Sequence, residues 1–479
     1  MTLEQAGPAV ETDRAGTATE DGATGSPASR RAALRPLLWR LHFLGGFLAA
    51  PVVLSLAITG ILFAWNPQIE AALHRNALAG VADGPAQPLG EQVRTARAEH
   101  PGWDLVTVTP AAPGGEQTTA VTLGPLGAAA GELDPASGAV TVYVDPASAA
   151  VTGEITEAHR PDEWLRSLHS SWHLGPIAEP LTELAASWVL VSLLTGLYLW
   201  WPRDRRALAR AFRFRHPGRL RARSVHSTLG VGILAALLLV VGTGLTWTTY
   251  AGAWIDAARA QLQSDTPSVS TQLAGTGAVG AGGHEHPGHD TDSSTAPAAT
   301  SDPAAGIDRV AAAARGAGLA GVLALDPPDE AGQAWTASVE DSRWPIESAT
   351  VAVDPATGQV TDRVVWSDYP LLAKATTLGI VFHQAELFGL ATQIGLTVLA
   401  VALIVLIIAG YRMWWLRRPA GGLGVPPGAG ALLRTVPVPL LLGFGALMVL
   451  LPTLGVSFLI YLAAERLLRA IRTLARAHP

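Results

Sequence analysis

Long apolar runs dominate this chain of 479 residues. A helix that crosses the hydrocarbon core of a bilayer needs about 20 largely apolar residues. Four runs have this character, at 37–65, 184–201, 225–247 and 387–415. With 15% charged residues and a mean hydropathy of +0.29, the composition disfavours a purely soluble enzyme. We therefore predict a membrane protein with four core spans.

A fifth apolar run, 436–462, is interrupted by prolines and a glycine. It is either one kinked span or two short helices. The arginines of the basic tail that follows it indicate that both chain ends lie on one side of the membrane. This favours two short helices around Pro452.

Arginine placement predicts the orientation in the membrane. Arginines precede the first span, and the segment 203–224 contains nine of them against one acid, Asp204. Three more arginines follow the fourth span. Because basic residues accumulate on the cytoplasmic side, we expect a cytoplasmic N-terminus and two extracytoplasmic segments, 67–180 and 251–376.

The two halves of the chain repeat one pattern of motifs. The corresponding pairs are Thr59-Gly60 with Thr243-Gly244, 142–148 with 351–357, and 197–203 with 411–417. Repeats of this kind place functional sites between the halves. Each extracytoplasmic segment is predicted to form an α+β module. The predicted helices are 89–99 and 303–315, and the predicted strands are 105–109, 118–123, 140–144, 321–325, 335–339 and 348–353.

The predicted fold is a membrane α-helical bundle. Four core spans form a tandem repeat, a C-terminal hydrophobic segment adds one or two helices, and two extracytoplasmic α+β modules complete the chain. The predicted order is a disordered cytoplasmic tail (1–35), the first span (36–66), module 1 (67–180), the second span (181–202), a basic cytoplasmic linker (203–224), the third span (225–250), module 2 (251–376) with a flexible insertion (264–302), the fourth span (377–418), a cytoplasmic linker (419–435), the C-terminal segment (436–465) and a basic tail (466–479).

Histidines at the ends of the spans are the residues most suited to chemistry. The chain has no cysteine, which excludes disulfides, thiolate catalysis and iron–sulfur clusters. His42 and His226 begin spans at equivalent repeat positions, while His169, His173 and His383 precede spans on the other side. Two neutral imidazoles from opposite helices suit axial ligation of a haem iron. We expect one site between His42 and His226, and a second between His383 and either His169 or His173.

Four glycines near the first of these sites, Gly45, Gly46, Gly230 and Gly232, are expected to leave room for the macrocycle of the haem.

A separate tract contains His284, His286 and His289 beside two acids. It is either a transition-metal site or a solvated low-complexity loop. The net charge of -6 gives no indication of nucleic-acid binding, and the sequence has no dinucleotide fingerprint or P-loop.

Several motifs resemble the PepSY-associated transmembrane-helix family over residues 36–420. They are 168–169, 183–188, 195–203, 382–389 and the two Val-x-Val-Asp-Pro segments, which resemble the ends of PepSY modules. The resemblance implies an iron-regulated, multi-pass protein of the bacterial inner membrane that binds haem b and reduces a ferric siderophore outside. It transfers the haem-ligand role to His42, His169, His226 and His383, with His173 as an additional candidate.

Together these observations predict a transmembrane oxidoreductase of the ferric-reductase type with two bis-histidine haems. Its electron donor would be a quinol or a cytoplasmic reductase, and its acceptor an external ferric chelate. One alternative is a transport component for iron, haem or copper. Another is a regulatory or structural membrane protein whose PepSY-like modules bind a partner.

Overall fold

The computed structural model describes residues 27–80, 82–112, 117–128, 138–201, 217–273, 304–330, 332–339, 342–419, 424 and 436–477. Several predicted features therefore lie wholly or mostly outside the described residues. These are the tail before residue 27, most of the basic linker 203–224, most of the insertion 264–302, nearly all of the linker 419–435, and the tract with His284, His286 and His289.

The first half of the chain contains two long helices and several short ones. They are α1 (Pro27–Ala64), α2 (Asn66–Leu73), α3 (Arg75–Leu78), α4 (Leu89–Glu99), α5 (Pro161–Ser171) and α6 (Glu179–Trp200). Helices α1 and α6 pack side by side, with Ala49, Ala50, Val53 and Ala185 in their shared core. Small residues at this contact allow the two backbones to approach closely.

The second half repeats this arrangement with breaks. Its helices are α7 (Arg219–Gly232), α8 (Leu234–Leu245), α9 (Thr249–Gln261), α10 (Ile307–Gly316), α11 (Leu371–His383) and α12 (Leu390–Trp415). The predicted third span is divided into α7 and α8, which meet at an angle of 61°. Gly230 and Gly232 immediately precede this bend, and glycine weakens a helix interior. The predicted fourth span also begins with a separate short helix, α11.

Two C-terminal helices, α13 (Val438–Leu450) and α14 (Pro452–Ala477), form a sharp hairpin with an angle of 119°. This is the two-helix arrangement that the basic tail favoured. Within the described residues, three helices are long and apolar enough to cross a membrane: Leu34–Ala64 of α1, α6 and α12. The number rises to five if each bent pair counts as one span.

The segments between the long helices form a single antiparallel sheet. The strands are β1 (Asp104–Thr109), β2 (Thr119–Gly124), β3 (Val140–Val144), β4 (Val151–Thr156), β5 (Leu323–Asp326), β6 (Trp335–Val339), β7 (Ala349–Val353) and β8 (Val360–Val365). Their order is β4-β3-β2-β1-β5-β6-β7-β8. The sequence predicted one module in each half but no contact between them, whereas β1 and β5 pair through Val108 and Leu325 and join both halves in one sheet domain.

Helices α4 and α10 cover this sheet and bury its apolar side chains. Val93 of α4 and Ile307 of α10 lie in one core with Val108, Leu123 and Leu325 of the strands. The predicted helix 89–99 and strands 140–144 and 335–339 have the observed bounds. The fourth strand of each half, β4 and β8, was not predicted, because these polar edge strands lack a continuous apolar run.

Candidate functional site

Four histidines on four different helices form two pairs. The rings of His42 on α1 and His226 on α7 have centroids 6.0 Å apart and planes inclined by 82°. The rings of His169 on α5 and His383 on α11 have centroids 6.4 Å apart and planes inclined by 65°. We call these the sheet-distal pair and the sheet-proximal pair. Each pair takes one ring from each half of the chain.

His173, the alternative partner of His383, lies elsewhere. It is exposed at the end of α5, where Trp172 and His173 adopt left-handed backbone conformations with φ of 51° and 59°. Its ring lies 5.0 Å from the ring of Trp164. The structure therefore brings His169, and not His173, to His383.

Each ring of the two pairs makes a hydrogen bond through Nδ1 to a neighbouring helix. In the sheet-distal pair, His42 Nδ1 lies 2.9 Å from the carbonyl of Ser192, and His226 Nδ1 lies 3.0 Å from that of Leu406. In the sheet-proximal pair, His383 Nδ1 lies 3.1 Å from the carbonyl of Val240.

The fourth ring uses a hydroxyl. His169 Nδ1 lies 2.8 Å from Oγ1 of Thr59. That hydroxyl donates its own proton to the carbonyls of Ser55 and Leu56, at 2.9 and 3.3 Å. Its oxygen therefore accepts the Nδ1 proton of His169.

These acceptors determine the tautomer of all four rings. A carbonyl oxygen accepts and cannot donate, so the nitrogen that faces it must carry a proton. In a neutral imidazole the other nitrogen then has the free lone pair. All four neutral rings thus hold a proton on Nδ1 and leave Nε2 available to bind a metal ion.

A glycine on the neighbouring helix makes room for each ring. A Cβ atom added to Gly196, Gly244, Gly60 or Gly410 would lie 2.9, 3.0, 3.3 or 3.5 Å from Cε1 of His42, His383, His169 or His226, respectively. In three cases the accepting carbonyl belongs to the residue four positions before the glycine. Because the glycine has no side chain, the imidazole can reach a carbonyl that a side chain at this position would cover.

The spacing of these residues is the same in both halves. Gly60 and Gly244 each follow a histidine by 18 residues (42 to 60, 226 to 244). Gly196 and Gly410 each follow a histidine by 27 residues (169 to 196, 383 to 410). Sequence inspection assigned these glycines no role beside the histidines, although the two equal spacings could have indicated one.

The glycines that the sequence suggested have other neighbours. A Cβ on Gly45 would lie 2.5 Å from Cε3 of Trp188, so this residue serves contact between α1 and α6. Gly230 faces Leu406, and Gly232 has nothing within 4 Å. Gly46 faces the Ser192 hydroxyl, with Oγ 4.0 Å from an added Cβ. The glycines that make room for the imidazole rings, Gly60, Gly196, Gly244 and Gly410, are thus a different set from those expected to make room for a macrocycle.

The two pairs lie at different depths of the bundle. Helix α1 carries His42 of one pair and Gly60 at the level of the other. Since an α-helix rises 1.5 Å per residue, the 18 residues between them span about 27 Å. A hydrocarbon core is about 30 Å thick. The pairs are thus separated by nearly the thickness of the hydrocarbon core.

In the part of the chain that the structure describes, no three histidine or carboxylate side chains form a group that could hold a metal ion. No curated protein matches the chain. The family model described as PepSY-associated TM region matches residues 39–417, a range that includes all four paired histidines. The chain belongs to the PepSY-associated transmembrane family.

Proposed function

We propose that this protein transfers electrons across the bacterial inner membrane, holds two haem b groups and reduces an extracytoplasmic ferric chelate. His42 and His226 would hold one haem, and His169 and His383 the other. The observation that carries the proposal is the separation of the two ring pairs, 6.0 and 6.4 Å.

These separations fit two imidazoles that hold one metal ion from opposite sides. With a metal–nitrogen distance of about 2.0 Å and a ring centre about 1.1 Å further along, the two centres would be about 6.2 Å apart. Both pairs lie within a few tenths of an ångström of the value for shared ligation.

The hydrogen bonds support the same assignment. A metal-binding histidine characteristically donates its second ring N–H to a carbonyl or another acceptor, which fixes the ring orientation and raises its basicity. All four rings have such an acceptor, and each leaves Nε2 free. Four packing histidines would not need this feature at every repeat position.

A bound haem would supply reversible one-electron chemistry. The protein would contribute ligation, ring orientation and an apolar surrounding, which together set the reduction potential. Two centres about 27 Å apart along α1 would form a path between the two faces of the membrane. This placement supports electron transfer across the bilayer.

The direction we propose is from the cytoplasmic face to the sheet domain. The arginines beside the sheet-distal pair favour a cytoplasmic location of that pair. A quinol or a cytoplasmic reductase would donate the electrons. The sheet domain would then face the ferric chelate, and the family resemblance favours a ferric siderophore.

Haem quantitation and a reduced-minus-oxidised spectrum of the purified protein test the proposal. The wild type is expected to carry two haems, and His42→Ala and His383→Ala to carry one each. His100→Ala is the control, because His100 lies in the sheet domain beside Glu154. A wild type that shows no Soret band after haem-replete expression would refute the proposal.

Proteoliposomes test the reaction itself. With dithionite enclosed on the sheet-distal side, we expect ferric citrate outside to be reduced by the wild type and not by His42→Ala. Equal rates with both proteins would exclude the proposed path.

A further inference from the structure

The acceptor of His169 differs from those of the other three rings. His42, His226 and His383 donate to backbone carbonyls, which belong to the helix and need no particular side chain. In the described part of the chain, His169 donates to the hydroxyl of Thr59. One side chain therefore controls the orientation of one ring.

The second half of the chain shows how His169 differs from its counterpart, His383. In the second half, His383 uses the carbonyl of Val240, four residues before Gly244. Thr243 donates to this same carbonyl at 3.1 Å and its hydroxyl lies 3.2 Å from His383 Nδ1, so that ring has both a carbonyl and a hydroxyl beside Nδ1. On α1, the equivalent carbonyl of Leu56 accepts a hydrogen bond from Thr59 at 3.3 Å, and within the described residues it is the Thr59 hydroxyl that faces His169 Nδ1. The Thr59 hydroxyl thus lies between the ring and the helix backbone. It relays the hydrogen bond that the carbonyl makes directly at the other sites.

A second contact holds α5 in place beside Thr59. Trp172 at the end of α5 donates its Nε1 proton to Oγ of Ser55, at 2.8 Å. The equivalent positions in the second half are Leu239 and Glu386, which cannot make this contact. Helix α5 is therefore held on α1 by two side-chain hydrogen bonds, one from Trp172 to Ser55 and one from His169 to Thr59.

We propose that Thr59 is a positioning residue for the sheet-proximal centre, acting through the orientation and basicity of His169. The hydroxyl is buried and its proton is already committed to backbone carbonyls, so its oxygen remains free to accept. This inference rests on the proposed function for its effect on haem, but the contact itself can be tested without haem.

Removal of the hydroxyl with little change in shape tests the proposal. Thr59→Val leaves the Nδ1 proton of His169 without its acceptor, so the ring loses its fixed orientation and donates less electron density. We expect haem content to fall from two to one per chain, or the midpoint potential of one centre to shift upward. Thr59→Ser restores the acceptor and is expected to behave as the wild type.

Thr195→Val is the matched control. The hydroxyl of Thr195 lies 3.3 Å from His42 Nδ1, but this ring also has the carbonyl of Ser192 at 2.9 Å. We expect two haems and unchanged potentials in this variant. If Thr59→Val also retains both haems at wild-type potentials, Thr59 is not a positioning residue.

Nitrogen-15 NMR of histidine-labelled protein separates this inference from the proposed function. In the haem-free protein, the signal of His169, identified by its loss in His169→Gln, is expected to show a proton on Nδ1. In Thr59→Val this preference is expected to weaken, while Thr195→Val retains the wild-type spectrum. An unchanged His169 signal in Thr59→Val would contradict the inference even if the wild type binds no haem. A wild type without haem but with the expected change would refute the proposed function alone.

Discussion

A methyl group on Gly196 of α6 would lie 2.9 Å from Cε1 of His42 on α1. This distance is below ordinary van der Waals contact, so the ring occupies the space that any other residue at position 196 would fill. The glycine also exposes the Ser192 carbonyl, to which His42 donates its Nδ1 proton. Position 196 thus controls both the space and the hydrogen bond of this ring.

Alanine substitutions at three of the four glycines should therefore have graded effects. Gly196→Ala and Gly244→Ala place a methyl group 2.9 and 3.0 Å from a histidine ring, whereas Gly410→Ala places it at 3.5 Å. We expect each of the first two to displace its ring, to cost about 1–3 kcal/mol of stability and to lower haem content by one. Gly410→Ala should retain both haems.

Gly242→Ala is the control for Gly244→Ala on the same helix. Nothing lies within 4 Å of a Cβ at position 242. Haem quantitation and thermal unfolding of the purified variants provide the measurement. Similar losses in Gly242→Ala and Gly244→Ala would show that α8 is merely sensitive to substitution.

The choice between His169 and His173 gives a second prediction. His169 lies opposite His383, whereas His173 is exposed and lies beside Trp164. We expect His169→Ala to lose the spectrum of one haem and His173→Ala to retain the wild-type spectrum. Loss of haem in His173→Ala with a normal His169→Ala would reverse the assignment.

The sequence alone could not distinguish these two histidines. They are four residues apart in the sequence, and on a continuous helix this spacing would place both on one face. The left-handed conformations of Trp172 and His173, which are uncommon for residues other than glycine, turn the chain at this point. That turn depends on contacts of α5 with α1, such as the one between Trp172 and Ser55.

Local patterns predicted most helices and strands, since periodicity and turn residues act over a few positions. The joined sheet could not be predicted in this way. It depends on the pairing of Val108 with Leu325, more than 200 residues apart, and no local signal marks either residue as a junction. The equal spacings could mark Gly196 as a repeat position, but its contact with His42 depends on the packing of α6 against α1.

The sheet domain should show an alkaline transition caused by Tyr143. Burial raises the pKa of Tyr143 to about 12 from its ordinary value of 10.0, with Glu70 and Glu157 adding to the rise and Arg160 opposing it. Because the pKa is higher in the folded state, the neutral phenol stabilises the fold below about pH 10. This contribution is lost as the pH rises from there through about 12.

Ultraviolet titration of tyrosinate detects this transition. Tyr143→Phe is expected to lose a late-titrating tyrosine and to flatten the loss of stability above about pH 10. Tyr250→Phe is the control, since Tyr250 is 46% exposed. If Tyr250→Phe loses the late-titrating tyrosine and Tyr143→Phe retains it, the transition does not belong to Tyr143.

A buried carboxylate on α6 holds two other helices in place. Glu183 has 0% exposure. It accepts hydrogen bonds from the Tyr250 backbone N–H, at 3.0 Å, and from the Thr453 hydroxyl, at 3.2 Å. Both donors lie in the first turn of a helix, α9 or α14, where the helix dipole favours a negative charge. Glu183 thus connects the C-terminal hairpin to the repeat-derived bundle.

Glu183→Ala should therefore destabilise the protein, because it leaves two donors without their acceptor. We expect a loss of about 1–3 kcal/mol and a lower midpoint of thermal unfolding in detergent. Ser187→Ala, one turn further along α6, is the matched control. Within the described residues, the Ser187 hydroxyl is buried without a hydrogen-bond partner, so its removal should be neutral or stabilising. Equal destabilisation by both substitutions would show that α6 tolerates no change of volume here, and that the hydrogen bonds of Glu183 are not the cause.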